Sequence, residues 1–296
     1  MLLRRQPARA QGGAEGGAGL RHVGAVSDQP SSGPPAPDHG VELWIAALDD
    51  LEPLLLELDR TDPLGALAAD NTGLTGARRV ARSLLLRLIA RRFGRAVAAQ
   101  AFAIGPHGKP VLAGLDGDFN LSHTTAVDGQ SFALIGLGRV AAIGVDLEPA
   151  RTVRLDERRR DLIVNAALAV GDGAALPVSD EARTLQAWAR LEAWGKADGR
   201  GIGRTLTHFR IWGRGQSTAA STDPDLVVYD LDAGAGLFAA VALPRGAGRP
   251  KLLSVPTDLP SLRAFLAPSG PGSNSGVDLA PGAGQKGTVR SVAQPG

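Results

Sequence analysis

The chain has 296 residues, 44% of them apolar and 21% charged, an ordinary globular make-up with length for one large domain or two smaller ones. Lys and Arg number 32 against 30 Asp and Glu, too even a balance to mark a nucleic-acid or membrane partner by bulk charge. The lack of cysteine excludes disulfides, thiolate metal ligands and a cysteine nucleophile, and it suits a reducing cytoplasm, the expected location.

Residues 1–39 are rich in Gly, Ala, Pro and Ser without a hydrophobic period, and 268–296 have the same character; both read as disordered tails. Met1-Leu2-Leu3-Arg4-Arg5 has no apolar run behind it, which speaks against a secretory signal. No apolar stretch approaches the length of a membrane span. Between the tails, Val41–Ile45 is strand-like, and a long helix is expected over Gly76–Phe93, with Val80, Leu84 and Leu88 at helical spacing. Its Arg78, Arg79, Arg82, Arg87, Arg91 and Arg92 read mostly as a solvated face. Strands are expected at Gln100–Ile104, Phe119–Leu121, Ser131–Leu137 and Ala141–Leu147. An Arg-rich helical connection then leads to a second long helix over Asp180–Ala197, followed by strands at Thr207–Trp212, Leu226–Leu231 and Leu237–Leu243. Ala101–Gly105 is weakly echoed by His208–Gly213, and Ser131–Ile135 by Gly236–Val241, the pattern of an internal duplication. Strands grouped beside single long helices give an α+β class, with halves at 40–149 and 150–267.

Alternation along a strand puts Asp146 and Glu148 on one face and Val145 and Leu147 on the other. Two carboxylates side by side need a cation, a basic side chain or water, so the pair is either a solvated face or a seat for magnesium. On the second helix, Trp188, Glu192 and Lys196 fall on one stripe, either as a surface ion pair beside core tryptophans or as an acid and a base on a working face. Gly108-Lys109-Pro110 reads as a turn. Ser122 and His123, adjacent on an extended chain, point apart and make a poor hydrolase pair. Gly199-Arg200-Gly201-Ile202-Gly203 follows a helix and not a strand, so it is no phosphate-binding P-loop. One tyrosine and few phenylalanines offer an RNA little to stack on.

In this order and separation, Gly108-Lys109-Pro110, Asn120-Leu121-Ser122-His123-Thr124, Gly144-Val145-Asp146-Leu147-Glu148 and Trp188–Lys196 with its glycine-rich turn resemble the signature of the 4′-phosphopantetheinyl transferases. The resemblance is to the two-domain, surfactin-synthetase-activating type, and it covers Val41 to Leu243. It implies a pseudo-duplicated fold, each half a long helix packed on a small, mostly antiparallel sheet, with the active site in the cleft between halves. It implies transfer of the phosphopantetheine arm of coenzyme A to a serine of an apo acyl or peptidyl carrier protein, by a monomer. Asp146, Glu148 and Glu192 would hold Mg2+, with Glu192 also the general base. Lys196 would neutralise the leaving phosphate, and Ser122 and His123 would face the diphosphate. Gly108, Lys109 and Pro110 would lie against the adenine, and Arg82 and Ser83 would meet the 3′-phosphate and the adenine region. Leu191 replaces a lysine common in relatives, and Thr61–Thr75 is acidic and Gly-rich where relatives often carry basic residues. The competing readings are another magnesium-dependent transferase or hydrolase, and a coenzyme A- or carrier-protein-binding module without catalysis.

Overall fold

The computed structural model describes residues 40–62, 64, 76–105, 108–212 and 225–268. The expected tails lie outside the described residues except for Pro268, as does the acidic stretch after Asp62 apart from Leu64. The chain is of mixed helix and sheet composition. In order come β1 (Glu42–Ala47), α1 (Leu48–Thr61), α2 (Gly76–Phe93), a short α3 (Arg95–Ala98), β2 (Phe102–Ile104), β3 (Pro110–Leu112), β4 (Asp118–Thr125), β5 (Ser131–Gly138) and β6 (Gly144–Pro149). Then follow α4 (Glu157–Val170), α5 (Asp180–Asp198), α6 (Gly201–His208), β7 (Leu226–Leu231), β8 (Leu237–Pro244), a 3-10 turn, β9 (Leu252–Ser254) and α7 (Leu259–Leu266). No helix among the described residues is long and apolar enough to cross a membrane.

Among the described residues the strands form three sheets: β4-β5-β1-β9, the hairpin β2-β3, and β6-β8-β7. Within these sheets pairing is antiparallel except for β9, which runs parallel to β1 with Leu43 opposite Leu252; outside them, Gly171 makes a single parallel bridge to Val228. Trp44, Ala46, Ala133, Ile135 and Leu137 face one way from the four-stranded sheet and bury against α1 and α2. Ala240, Ala242 and Val228 of the three-stranded sheet bury against α4, α5 and α6. The opposite faces share a third cluster, Leu43 and Leu134 from one sheet with Val145, Leu147 and Val241 from the other. Each fully buried aliphatic side chain contributes about 1.5–3 kcal/mol, so this shared cluster fixes the two sheets firmly against each other. Where their edges adjoin, Asn120 on β4 accepts the Val145 amide of β6 at 3.0 Å, satisfying a buried donor that no strand covers.

Several expectations need correction. Thr207–Trp212 is not a strand: α6 runs to His208, and Phe209 and Arg210 form a turn. The apolar residues read as a strand serve a ring cluster instead, His208 and Phe209 each lying 5.4 Å from the Trp194 ring. With that strand goes its echo of Ala101–Gly105; Gly213 itself lies outside the described residues. Gly144–Pro149, grouped by sequence with the first half, forms its ladder with β8 of the second. The arginines of α2 are largely not a solvated face. Arg87 is buried and bonds Asp59 at 2.5 Å and Asp62 at 2.8 Å on α1 and just after it, while Arg91 and Arg92 pair with Glu42. Elements α1, β3, β9 and α7 have no counterpart in the sequence reading.

Candidate functional site

Helix α5 is well specified at both ends. Ser179 stands at its N-cap, Asp180 and Glu181 lie in the first turn where the helix dipole favours negative charge, and Gly199 closes it at φ 78°. Its core face carries Leu185, Ala189, Leu191, Ala193 and Trp194. Arg190, wholly buried, locks that face to β7: Nε and Nη2 donate to Asp230 at 2.7 and 2.6 Å, and Gln186 joins the same carboxylate at 2.8 Å. The helix lies hard against β6. A Cβ placed on Gly144 would overlap the Ala193 carbonyl oxygen and the Ala197 amide and come within 2.9 Å of the Ala197 methyl. Glycine at the head of the Gly-Val-Asp-Leu-Glu run is therefore what brings the acids of β6 beside Glu192 and Lys196.

The closest contacts of the site form a triangle. Lys196 Nζ donates to Asp146 Oδ1 at 2.6 Å and to Ser122 Oγ at 3.2 Å, and Ser122 Oγ donates to the same Oδ1 at 3.1 Å. Three segments distant in sequence, β4, β6 and α5, thus meet at one carboxylate that is 4% exposed. Its Oδ2 is buried with no hydrogen-bond partner among the described residues. Glu148 receives Arg151 at 2.9 Å. Burial, then the negative charge of Asp146, pushes Glu148 upward against the pull of Arg151 and Lys196. Glu192 rises to about 7, from burial first and then Asp146, with Lys196 opposing and Glu148 adding to the rise. A carboxyl group poised near neutrality can accept a proton at physiological pH, as a general base must. Among the described residues no three His, Asp or Glu groups stand together closely enough to cage a metal ion by themselves. Lys196 takes Asp146 Oδ1, and Arg151 takes one oxygen of Glu148.

Alternation separates Ser122 from His123, as the sequence required. Ser122 turns to β6, and His123 turns to α2, where Arg78 Nε donates to its Nε2 at 3.4 Å. Burial and the positive charges of Arg78 and Lys196 hold His123 below the usual imidazole range. With Nε2 accepting, the ring is neutral and its proton sits on Nδ1. Arg78 and His123 open onto a cavity of about 260 Å³, also lined by Arg82, Pro110, Phe119 and Asn120. Arg82 sits over Phe102, its Cζ 3.2 Å from the ring centroid, and burial lowers it to about 10. A cavity walled by two arginines and a histidine, with no acid in its lining, suits an anion.

The structure thus gathers Asp146, Glu148, Glu192, Lys196 and Ser122 on one side of β4, and Arg82, Pro110 and His123 on the other. Three expected residues lie elsewhere. Gly108 makes the turn of the β2-β3 hairpin at φ 90°, its amide donating to the Gly105 carbonyl at 3.0 Å, and it does not line the cavity. Lys109 is ion-paired with Asp118 and donates to the Ile143 carbonyl at 2.8 Å, tying the β2-β3 hairpin to the approach to β6. Ser83 is buried in α2, its hydroxyl without a partner among the described residues, and it does not line the cavity. Arg78 is the residue the sequence reading left among the solvated arginines. Its only sequence signal is a place one turn before Arg82. No protein-family model matches the chain, and no curated protein matches it.

Proposed function

We propose that this protein transfers the 4′-phosphopantetheine group of coenzyme A to a serine hydroxyl of an acyl or peptidyl carrier protein. The observation that carries the reading is the triangle of Ser122, Asp146 and Lys196, which joins three of the four motifs of the resemblance at one point with Glu192 beside it. Further support comes from the repeated packing of one long helix on one sheet, α2 on the four-stranded and α5 on the three-stranded, which fits a duplicated ancestor with the site where the sheets adjoin. The loss of the Thr207–Trp212 strand leaves only one of the two sequence echoes behind that duplication.

A divalent cation fits the acids on their chemistry: Asp146 pairs with Lys196 and Glu148 with Arg151, Glu192 feels the charge of both acids, and the buried Oδ2 of Asp146 lacks a partner among the described residues. Asp146, Glu148 and Glu192 would hold magnesium, which when bound would offset charge on the phosphate oxygens. Glu192 accepts the proton as the serine oxygen attacks the phosphorus that carries the pantetheine arm. The bond from that phosphorus to the oxygen of the nucleotide phosphate breaks, and adenosine 3′,5′-bisphosphate leaves with the electron pair. Lys196 would balance the leaving phosphate, and His123 would offer its Nδ1 proton to the diphosphate. Arg78 and Arg82 give the nucleotide end a cationic wall.

The test is intact-protein mass spectrometry of an apo carrier protein incubated with this protein, coenzyme A and magnesium. A gain of about 340 Da that disappears with Glu192→Ala or with chelator is the expected result for metal-assisted transfer. Coenzyme A binding without any mass gain on several carrier proteins would leave the binding-module reading in its place.

A further inference from the structure

The acidic site carries its own occupant. Lys196 Nζ sits 2.6 Å from Asp146 Oδ1, and Ser122 braces both by bonding to each. A divalent cation and an ammonium cannot both take that oxygen, because like charges about 3 Å apart in a half-buried site repel strongly. The backbone under Lys196 cannot move aside, since Gly144 already packs against Ala193 and Ala197 on the same helix. The side chain can: its four-carbon stem is flexible, and it is 28% exposed. The cavity beside His123 is itself lined by arginines, so it would receive the displaced ammonium only once a polyphosphate fills it; it lies within electrostatic reach of Lys196.

We propose that Lys196 is an internal counter-ion that holds Asp146 until a divalent cation replaces it, releasing the ammonium toward bound polyphosphate. This rests on the carboxylate site proposed above and adds an interdependence to it. Cation binding frees a lysine for the phosphates, and a polyphosphate draws that lysine off the carboxylate. Each ligand therefore tightens the other by the same factor.

The chain has only four lysines, Lys109, Lys196, Lys251 and Lys286, so their reactivity is separately readable by peptide mass spectrometry after brief acetylation of the full-length protein. Saturating magnesium without nucleotide should raise the labelling rate at Lys196 about fivefold or more and leave Lys251 unchanged. In calorimetry, Lys196→Gln should bind manganese about fivefold tighter than the unmodified protein, again without nucleotide. In Asp146→Asn, Lys196 should label quickly from the outset and ignore the metal. Metal binding with no change in Lys196 labelling, and with equal affinity in Lys196→Gln, overturns this proposal and leaves the carboxylate site standing. No metal binding to either protein, with or without coenzyme A, removes the site and this proposal together.

Discussion

Replacing Gly144 by alanine tests how the site is assembled, because the added methyl group touches no reacting atom. It meets the backbone of α5 at Ala193 and Ala197, atoms that cannot rotate away, and strand and helix must part by roughly 1.5 Å to restore ordinary spacing. Overpacking of this kind costs about 1–3 kcal/mol, or roughly 3–10 °C of melting temperature for a core of this size. The same movement draws the Lys196 backbone away from Asp146, so the 2.6 Å contact between them survives only with the flexible stem re-extended. A displacement of about 1 Å at a catalytic constellation lowers a rate about 100-fold. The assay pairs thermal unfolding with the rate of carrier-protein modification. Gly203→Ala is the control, since nothing lies within 4 Å of its added Cβ in α6, and it should be neutral or slightly stabilising. A Gly144→Ala protein with unchanged melting temperature and a rate within about twofold of the original would refute the argument that this glycine sets the strand–helix distance.

Two predictions concern the scaffold. Arg190→Met leaves the Asp230 carboxylate with Gln186 alone among the described residues and should cost about 3 kcal/mol by urea unfolding, with Arg190→Met/Asp230→Leu recovering much of it; a fully stable single variant would count against the buried clamp. Burial raises the Asp62 carboxyl, but hydrogen bonds from Arg95, the Leu64 amide and Arg87 outweigh it and hold the group below its ordinary value of 3.8. The stabilisation is therefore present above about pH 4 and is lost as pH falls through the lower folded value, so Asp62→Asn should lose melting temperature at pH 7 and converge with the original below pH 4. Parallel melting curves across that range would contradict it.

The long helices were legible because their signals are local. Gly76–Phe93 has its stated bounds, and Asp180–Ala197 extends by one residue to the glycine that stops it. Helix α1 escaped notice although Leu48, Leu51, Leu55 and Leu58 mark its buried stripe, since Asp49, Asp50, Glu52 and Pro53 break up its surface. Strands β3 and β9 have three residues each, too few for alternation to show. At the site, residue types in order pointed to Asp146, Glu192 and Lys196. What the sequence could not carry was direction: Lys109 spends its charge on Asp118, while Arg78, one of six arginines on its helix, is singled out only by His123 across the cavity. Leu191 is fully buried, so a lysine at that position in this chain would point into the core and not toward phosphate.

The parallel pairing of β9 with β1 also bears on how the protein is born. Strand β1 is among the first described elements to leave the ribosome, yet its partner Leu252 follows about 200 residues later. Until then one edge of the nascent sheet stays open, with the Trp44 ring awaiting Phe265 of α7, which it finally meets at 4.6 Å. The N-terminal sheet is thus finished last, after the chain bearing Asp146, Glu192 and Lys196 has already been made, and a product cut short before Leu252 would carry those groups on a body with an unsealed flank.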